Sequence, residues 1–316
     1  MYSPLSQYRY ITPLSISFSI VLTVALILLE AGNAVMLCIN WVTAGIVAFI
    51  IGECIVRFKL HEGFENKTLS ISWPLLTAGL HFACCHFPQF DSFYKAPPQI
   101  LGLMLVISIS MSLWQRRQAT IKCLLLGLFI GFVSAAVPHA ILWLLLFPVT
   151  GYTMRCWSAR NAFSVLTGTA FAIWIVYCIL FFVQGADAAN AMLASYAGIL
   201  RSEDYPLFQG LGLWQYLFMG ISLMLLIFYS VTGFLINAGQ NIRTDLSLKL
   251  TSFISVIFIM FMVFDVRHFY SNLCFFLLFI ALQLTIHQAS IRSQVHEWWI
   301  VLINLVYIAL CILPCV

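Results

Sequence analysis

Asp265, Arg267 and His268 stand within four residues of one another, between two strongly apolar runs. A carboxylate, a guanidinium and an imidazole held that close together can bind a phosphate or relay a proton. The same trio also serves as a self-neutralising turn, which is its commoner use. Glu30, His139, Asp187, Arg201 and Asp204 likewise fall at the ends of apolar runs or in polar connections between them. Ionisable groups at membrane depth are costly and often mark substrate or proton paths. The usual soluble-enzyme signatures are missing: there is no phosphate loop, no GxGxxG after a strand, no GxSxG elbow and no HExxH helix.

The elements that position these residues follow from composition. Of 316 residues, 62% are hydrophobic and 8% charged, against about 25% charged in ordinary soluble domains. A soluble core cannot absorb that much apolar surface. Runs of about 17 to 25 apolar residues match a helix crossing about 30 Å of hydrocarbon. Such runs predict eleven spans: Ile11–Leu29, Ala34–Val56, Ile71–Phe87, Pro98–Trp114, Ile121–Val137, Ala140–Thr153, Ala162–Val183, Leu211–Asn237, Leu250–Phe264, Phe269–His287 and Trp298–Val316. The sixth and ninth are short, and the sixth contains Pro148, so either is open to being a half-span. The expected fold is an all-α polytopic transmembrane bundle, read as one integral membrane domain over residues 1–316.

Charge gives this bundle a direction. Cytoplasmic loops retain Lys and Arg during insertion. With the N-terminus inside, twelve of the fifteen bases fall on the cytoplasmic side, and Lys95, Arg201 and Arg267 fall outside. Dropping either short span would move basic loops to the wrong face, so the expected topology is N-terminus in and C-terminus out. The first run lacks a cleavage site followed by a hydrophilic chain and reads as an uncleaved span. The sequon Asn66-Lys67-Thr68 then falls on the cytoplasmic side, out of reach of glycosylation.

The outer face of this topology is poor in bases and rich in acids and imidazoles. Two readings stand: the positive-inside rule alone leaves acids there, or Glu30, His139 and Asp265 converge on an outward-facing cavity. Gln184–Gly210 is the longest polar stretch, and within it Ala188–Leu200 reads as a small helix able to lie in the interface. Elsewhere the spacing reads as structure. Glu53 and Arg57 are placed for an i,i+4 ion pair, and Gly127 and Gly131 for close helix approach. Trp114, Trp157, Trp214, Trp298 and Trp299 fall at span ends as an aromatic belt does. The cysteines sit mostly inside apolar runs as small hydrophobes. Cys84 and Cys85 neighbour His81 and His86, but adjacent helical residues point apart, and no metal site is expected.

The stretch Leu113–Phe182 is similar to a Bacteroidetes family of multi-pass inner-membrane proteins catalogued as a domain of unknown function. The likeness is carried by the bases of Trp114-Gln115-Arg116-Arg117, the helix Leu126-Gly127-Leu128-Phe129-Ile130-Gly131, the Val137-Pro138-His139 turn and the Arg155–Arg160 connection. It implies a place in the bacterial inner membrane and no particular activity. More distantly, the basic loop, GxxxG helix and short turn of Arg116–Leu146 resemble the fourth to sixth spans of GT-C polyprenyl-phosphate-sugar glycosyltransferases. That resemblance implies a catalytic acid in the first outer loop, the place of Glu30. It would act as base toward an acceptor hydroxyl or help hold a metal. Those enzymes have a long first outer loop, often with paired acids, whereas Glu30 to Asn33 is barely a turn.

The expected function is lipid-linked sugar handling or glycosyl transfer at the outer face. Glu30 is its catalytic candidate. His139, Asp187, Arg201, Asp204, Asp265, Arg267 and His268 are its substrate-binding candidates. Membrane lipids and a polyprenyl-phosphate-linked substrate are the expected partners, nucleic acid is not, and the sequence leaves any cofactor open. A transporter or flippase, or a non-catalytic assembly subunit, is the alternative. A transporter should show a polar site near the midplane, where the sequence offers His81 and a few Asn, Gln, Ser and Thr groups.

Overall fold

Apolar stretches with no Gly-Pro punctuation fold as helices, and the computed structural model shows helices and no strands among the residues it describes. Those residues are 11–29, 33–58, 65–87, 96–115, 118–197, 211–235, 242–264, 269–290 and 294–315. The α-helices are α1 (Ile11–Leu28), α2 (Ala34–Arg57), α3 (Glu65–His86), α4 (Ala96–Ser112), α5 (Thr120–Ala136), α6 (Leu146–Thr153), α7 (Ala159–Gln184), α8 (Ala186–Ala197), α9 (Leu213–Leu235), α10 (Ile242–Phe264), α11 (Phe269–Ser290) and α12 (Gln294–Ile312). A 3-10 segment, Pro138–Leu145, leads directly into α6.

Every predicted apolar run falls on one of these helices or, for the sixth, on the 3-10 segment plus α6. Five stretches are long and apolar enough to cross a membrane by length and composition: Ala34–Arg57, Ala159–Gln184, Leu213–Leu235, Thr244–Phe261 and Trp298–Cys315. Their outward faces carry large exposed apolar side chains, among them Val35 at 64%, Phe163 at 72% and Met224 at 70%. In water, such contiguous surface would drive association. Lipid is the solvent it suits, and the helices are those of a membrane-embedded protein.

Two short spans gain length in the structure. α10 begins at Ile242, eight residues before the apolar run, because the polar turn Ile242–Lys249 is helical and closed by a Lys249–Asp245 ion pair of 2.8 Å at i,i+4 spacing. The sixth run gains rise instead. Eight 3-10 residues at about 2.0 Å each and eight α residues at about 1.5 Å give a summed rise of about 28 Å. Pro148 accounts for the change of helix type. It is tolerated in the first turn of α6 and would break an α-helix running through it.

The chain divides into two compact units: residues 1–101, 206–262 and 269–316, and residues 102–205 and 263–268. In the first, α3 packs against α1, α2, α11 and α12. α11 is buried on all sides from Leu273 to His287, as a helix apolar all round should be. In the second unit α5 and α7 form the tightest helix pair. The GxxxG expectation is met there: a Cβ on Gly127 would strike the Val165 carbonyl oxygen, and one on Gly168 the Leu124 carbonyl. Thr169 Oγ1 donates to the Gly127 carbonyl at 3.1 Å across the gap. The Glu53–Arg57 expectation fails: both side chains are exposed and no ion pair joins them. A water-facing pair gains little Coulomb energy against the side-chain entropy of holding it together.

Candidate functional site

In the second unit the two described candidates, His139 and Asp187, follow the C-terminal ends of α5 and α7. α5 stops where Val137 turns extended, at φ −138° and ψ 92°, a conformation that the following Pro138 favours. Pro138 then starts the 3-10 segment at a position where its missing N–H costs nothing. His139 follows and is 3% exposed, and Ala140 and Trp143 beside it are buried. His139 is therefore buried at the corner where α5 gives way to the 3-10 segment.

α8 covers this corner. α7 ends at Gly185, whose φ of 94° is left-handed and suits glycine, and α8 departs from there at a new angle. Its buried positions are Ala189 and Met192, with half-buried Tyr196 on the same stripe, and it packs on α7 and on the 3-10 segment. Two side-chain bonds hold it. Tyr196 and Ser134 near the end of α5 share a hydrogen bond of 3.2 Å between their hydroxyls. Tyr177 on α7 donates to Asn190 Oδ1 at 3.3 Å. Burial pushes the Tyr196 phenol above its usual pKa of 10.0, and the Ser134 hydrogen bond opposes this in part. The helix expected over Ala188–Leu200 is thus α8, Ala186–Ala197.

Asp187 occupies the first turn of α8 and is exposed. A carboxylate there complements the positive end of the helix. It lies on the face turned away from Ala189 and Met192, so the structure does not bring it to buried His139. Glu30, Arg201, Asp204, Asp265, Arg267 and His268 lie outside the described residues.

The first unit holds a second polar constellation that reading by span did not single out. On buried α11, Gln283 Nε2 donates to Ser255 Oγ on α10 at 3.0 Å and to Ser230 Oγ on α9 at 3.3 Å. Ser255 itself donates to the Thr251 carbonyl at 2.8 Å. Gln283 Oε1 is buried with no partner among the described residues. One turn on, His287 Nε2 meets Thr232 Oγ1 at 3.3 Å. Elsewhere in this unit His81, fully buried, meets Thr23 Oγ1 at 3.0 Å. In sequence these are isolated polar letters in apolar runs. Their one legible signal was that Gln283, Thr285 and His287 share a single run.

The His81, Cys84, Cys85 and His86 cluster divides in the structure. His81 faces α1, whereas His86 Nε2 contacts Cys315 Sγ at 3.7 Å and its carbonyl accepts from Gln215 Nε2 at 2.8 Å. Among the described residues no group of three or more His, Cys, Asp or Glu side chains could hold a metal ion. Comparison of the chain with protein-family models, curated proteins and solved structures finds no match.

Proposed function

We propose that the chain is a multi-pass protein of the bacterial inner membrane, with about eleven spans, N-terminus in and C-terminus out. It handles a lipid-linked anionic substrate, of the polyprenyl-phosphate-sugar class, at its outer face. The observation that supports this reading best is α8. A short helix hinged at Gly185 and tied by Tyr196 to Ser134 covers the corner that holds His139. In the proposed topology that corner is at the outer face, and a helix in that position acts as a lid over an interfacial site. The summed rise of the 3-10 segment and α6 supports counting them as a crossing, which keeps twelve of fifteen bases on one side.

In this reading Glu30 is the candidate acid by its place in the first outer loop, and Arg201, Asp204, Asp265, Arg267 and His268 remain candidates by sequence position. The test is Glu30→Gln in the native host, with envelope glycans compared at matched protein level. Loss or truncation of a glycan is the expected result, and unchanged glycans sink the transfer reaction.

A second reading, a transporter or flippase, rests on the Gln283 constellation. A carboxamide whose oxygen has no partner among the described residues, inside a helix buried from Leu273 to His287, is the kind of polar group within a span that carriers use.

A further inference from the structure

Three helices of the first unit meet at the Gln283 amide: α9 through Ser230, α10 through Ser255 and α11 through Gln283 itself. Ser252 lies one turn from Ser255 on α10, beside Gly233 of α9. These four polar side chains are at most 2% exposed. We infer that they form a binding site for a sodium ion.

The balance of donors and acceptors is the first support. Gln283 Nε2 donates to both Ser230 Oγ and Ser255 Oγ, and Ser255 gives its own proton to the Thr251 carbonyl. A hydroxyl has one proton and two lone pairs, and an amide oxygen has two lone pairs. Ser255 therefore keeps a lone pair after both bonds. Gln283 Oε1 keeps both of its own, since it is buried with no hydrogen-bond partner, and Ser252 Oγ is buried in the same state. The set is rich in acceptors and short of donors. A buried acceptor left unmade is costly, and one cation satisfies several at once.

The ligand chemistry selects the ion. Hydroxyl and amide oxygens are hard and neutral, and neutral oxygens can replace the water around an alkali cation, as carbonyl rings do in channels. α9 and α11 carry no Asp or Glu, and on α10 Asp245 is already paired with Lys249. A divalent ion is usually held by carboxylates, so the charge that suits this set is single. Few oxygens from closely packed helices suit the smaller alkali ion, sodium, over potassium.

Packing and approach agree with this. A Cβ on Gly233 would strike Ser252 Oγ, so the glycine lets α9 and α10 come close enough for Ser230 and Ser255 to share one amide. Ser247, Thr251 and Ser255 follow at i, i+4 and i+8 and are all buried. A line of hydroxyls on one face of α10 thus leads from near its start to Gln283. The inference rests on this geometry and on neither functional reading: a carrier would couple the ion to its solute, and a transferase would keep it as a structural ion.

The test is thermal melting of the purified full-length protein in detergent, with sodium chloride replacing choline chloride at one ionic strength. Wild type should melt a few degrees higher in sodium, with a saturating dependence on concentration. Gln283→Leu should melt near wild type in choline and lose the sodium shift. Ser252→Ala, a smaller change, should raise the half-saturating sodium concentration roughly tenfold, the scale of one polar contact to a charged group. Thr285→Val should keep the full shift, because that hydroxyl already donates to the Ala281 and Leu282 carbonyls at 2.7 and 2.9 Å. Equal melting of wild type in sodium and choline overturns the inference, and so does a sodium shift that survives in folded Gln283→Leu or an unchanged half-saturation in Ser252→Ala. Potassium matching sodium at equal concentration overturns the assignment to sodium. Melting reads binding and not transport, so failure of the carrier reading would leave the site standing.

Discussion

The carbonyl oxygen of Val165 lies where a Cβ on Gly127 would have to be. Backbone meets backbone there, so α5 and α7 have no flexible side chain that could move aside. Gly127→Ala should therefore force the helices apart and break the Thr169 to Gly127 bond, at a cost of about 1 to 3 kcal/mol. The measurement is thermal melting in detergent against Gly220→Ala, where an added Cβ meets nothing within 4 Å. Equal melting of the two variants would contradict the close approach.

The hydroxyl pair Tyr196 and Ser134 fastens α8. Tyr196→Phe should release it, costing about 0.5 to 1.5 kcal/mol locally and speeding amide exchange over Ala186–Ala197 while α7 stays protected. The pH dependence has a definite sign. The folded pKa is raised above the unfolded value, so the proton is held more tightly in the folded state. The associated stability is complete below the unfolded pKa of about 10 and is lost as pH rises through the folded one. Absorbance titration should lose one tyrosine that titrates above the usual value when Tyr196 is replaced by Phe.

Topology is checked with reporter fusions. Alkaline phosphatase, active only outside the cytoplasm, should be active when fused after Asp187 or at the C-terminus and inactive after Arg160. Fusion at Val137 should be active and at Arg155 inactive, since the 3-10 segment and α6 together have the rise of a crossing. Equal activity at Val137 and Arg155 would make that segment re-entrant and reverse every later loop.

What the sequence made legible was set by scale. Apolar runs report helices because a whole turn must be greasy on the face that meets lipid or core, so α2 was placed to within one residue and α7 to within three. The start of α10 was hidden because Arg243, Asp245 and Lys249 depress local hydropathy, although an i,i+4 pair makes that turn a good helix. The 3-10 segment was hidden for another reason. Pro148 announces a break, but hydropathy does not report rise per residue. The Gly127 and Gly131 spacing announced a close contact without naming α7 as its partner. Glu53 and Arg57 had the spacing of an ion pair, and spacing fixes only who can meet. Gln283 shows the limit most clearly: one amide in an apolar run carries no information about the two serines, 28 and 53 residues away, that it joins.

Gln283 also separates the two functional readings. As interhelical glue, its bonds to Ser230 and Ser255 are each worth about 0.6 kcal/mol on average in membrane proteins. Gln283→Leu also removes the buried Oε1 that has no partner among the described residues, a gain that offsets part of the loss. The variant should therefore melt within about 1 kcal/mol of wild type. If outer-face transfer is the activity, Gln283→Leu leaves the envelope glycans as they are while Glu30→Gln changes them. A carrier requires the opposite pair of results, because a leucine within α11 removes a polar step from the path, whereas Glu30 is a candidate for transfer alone. Running both variants beside each other, with protein levels matched, makes each result informative about the other.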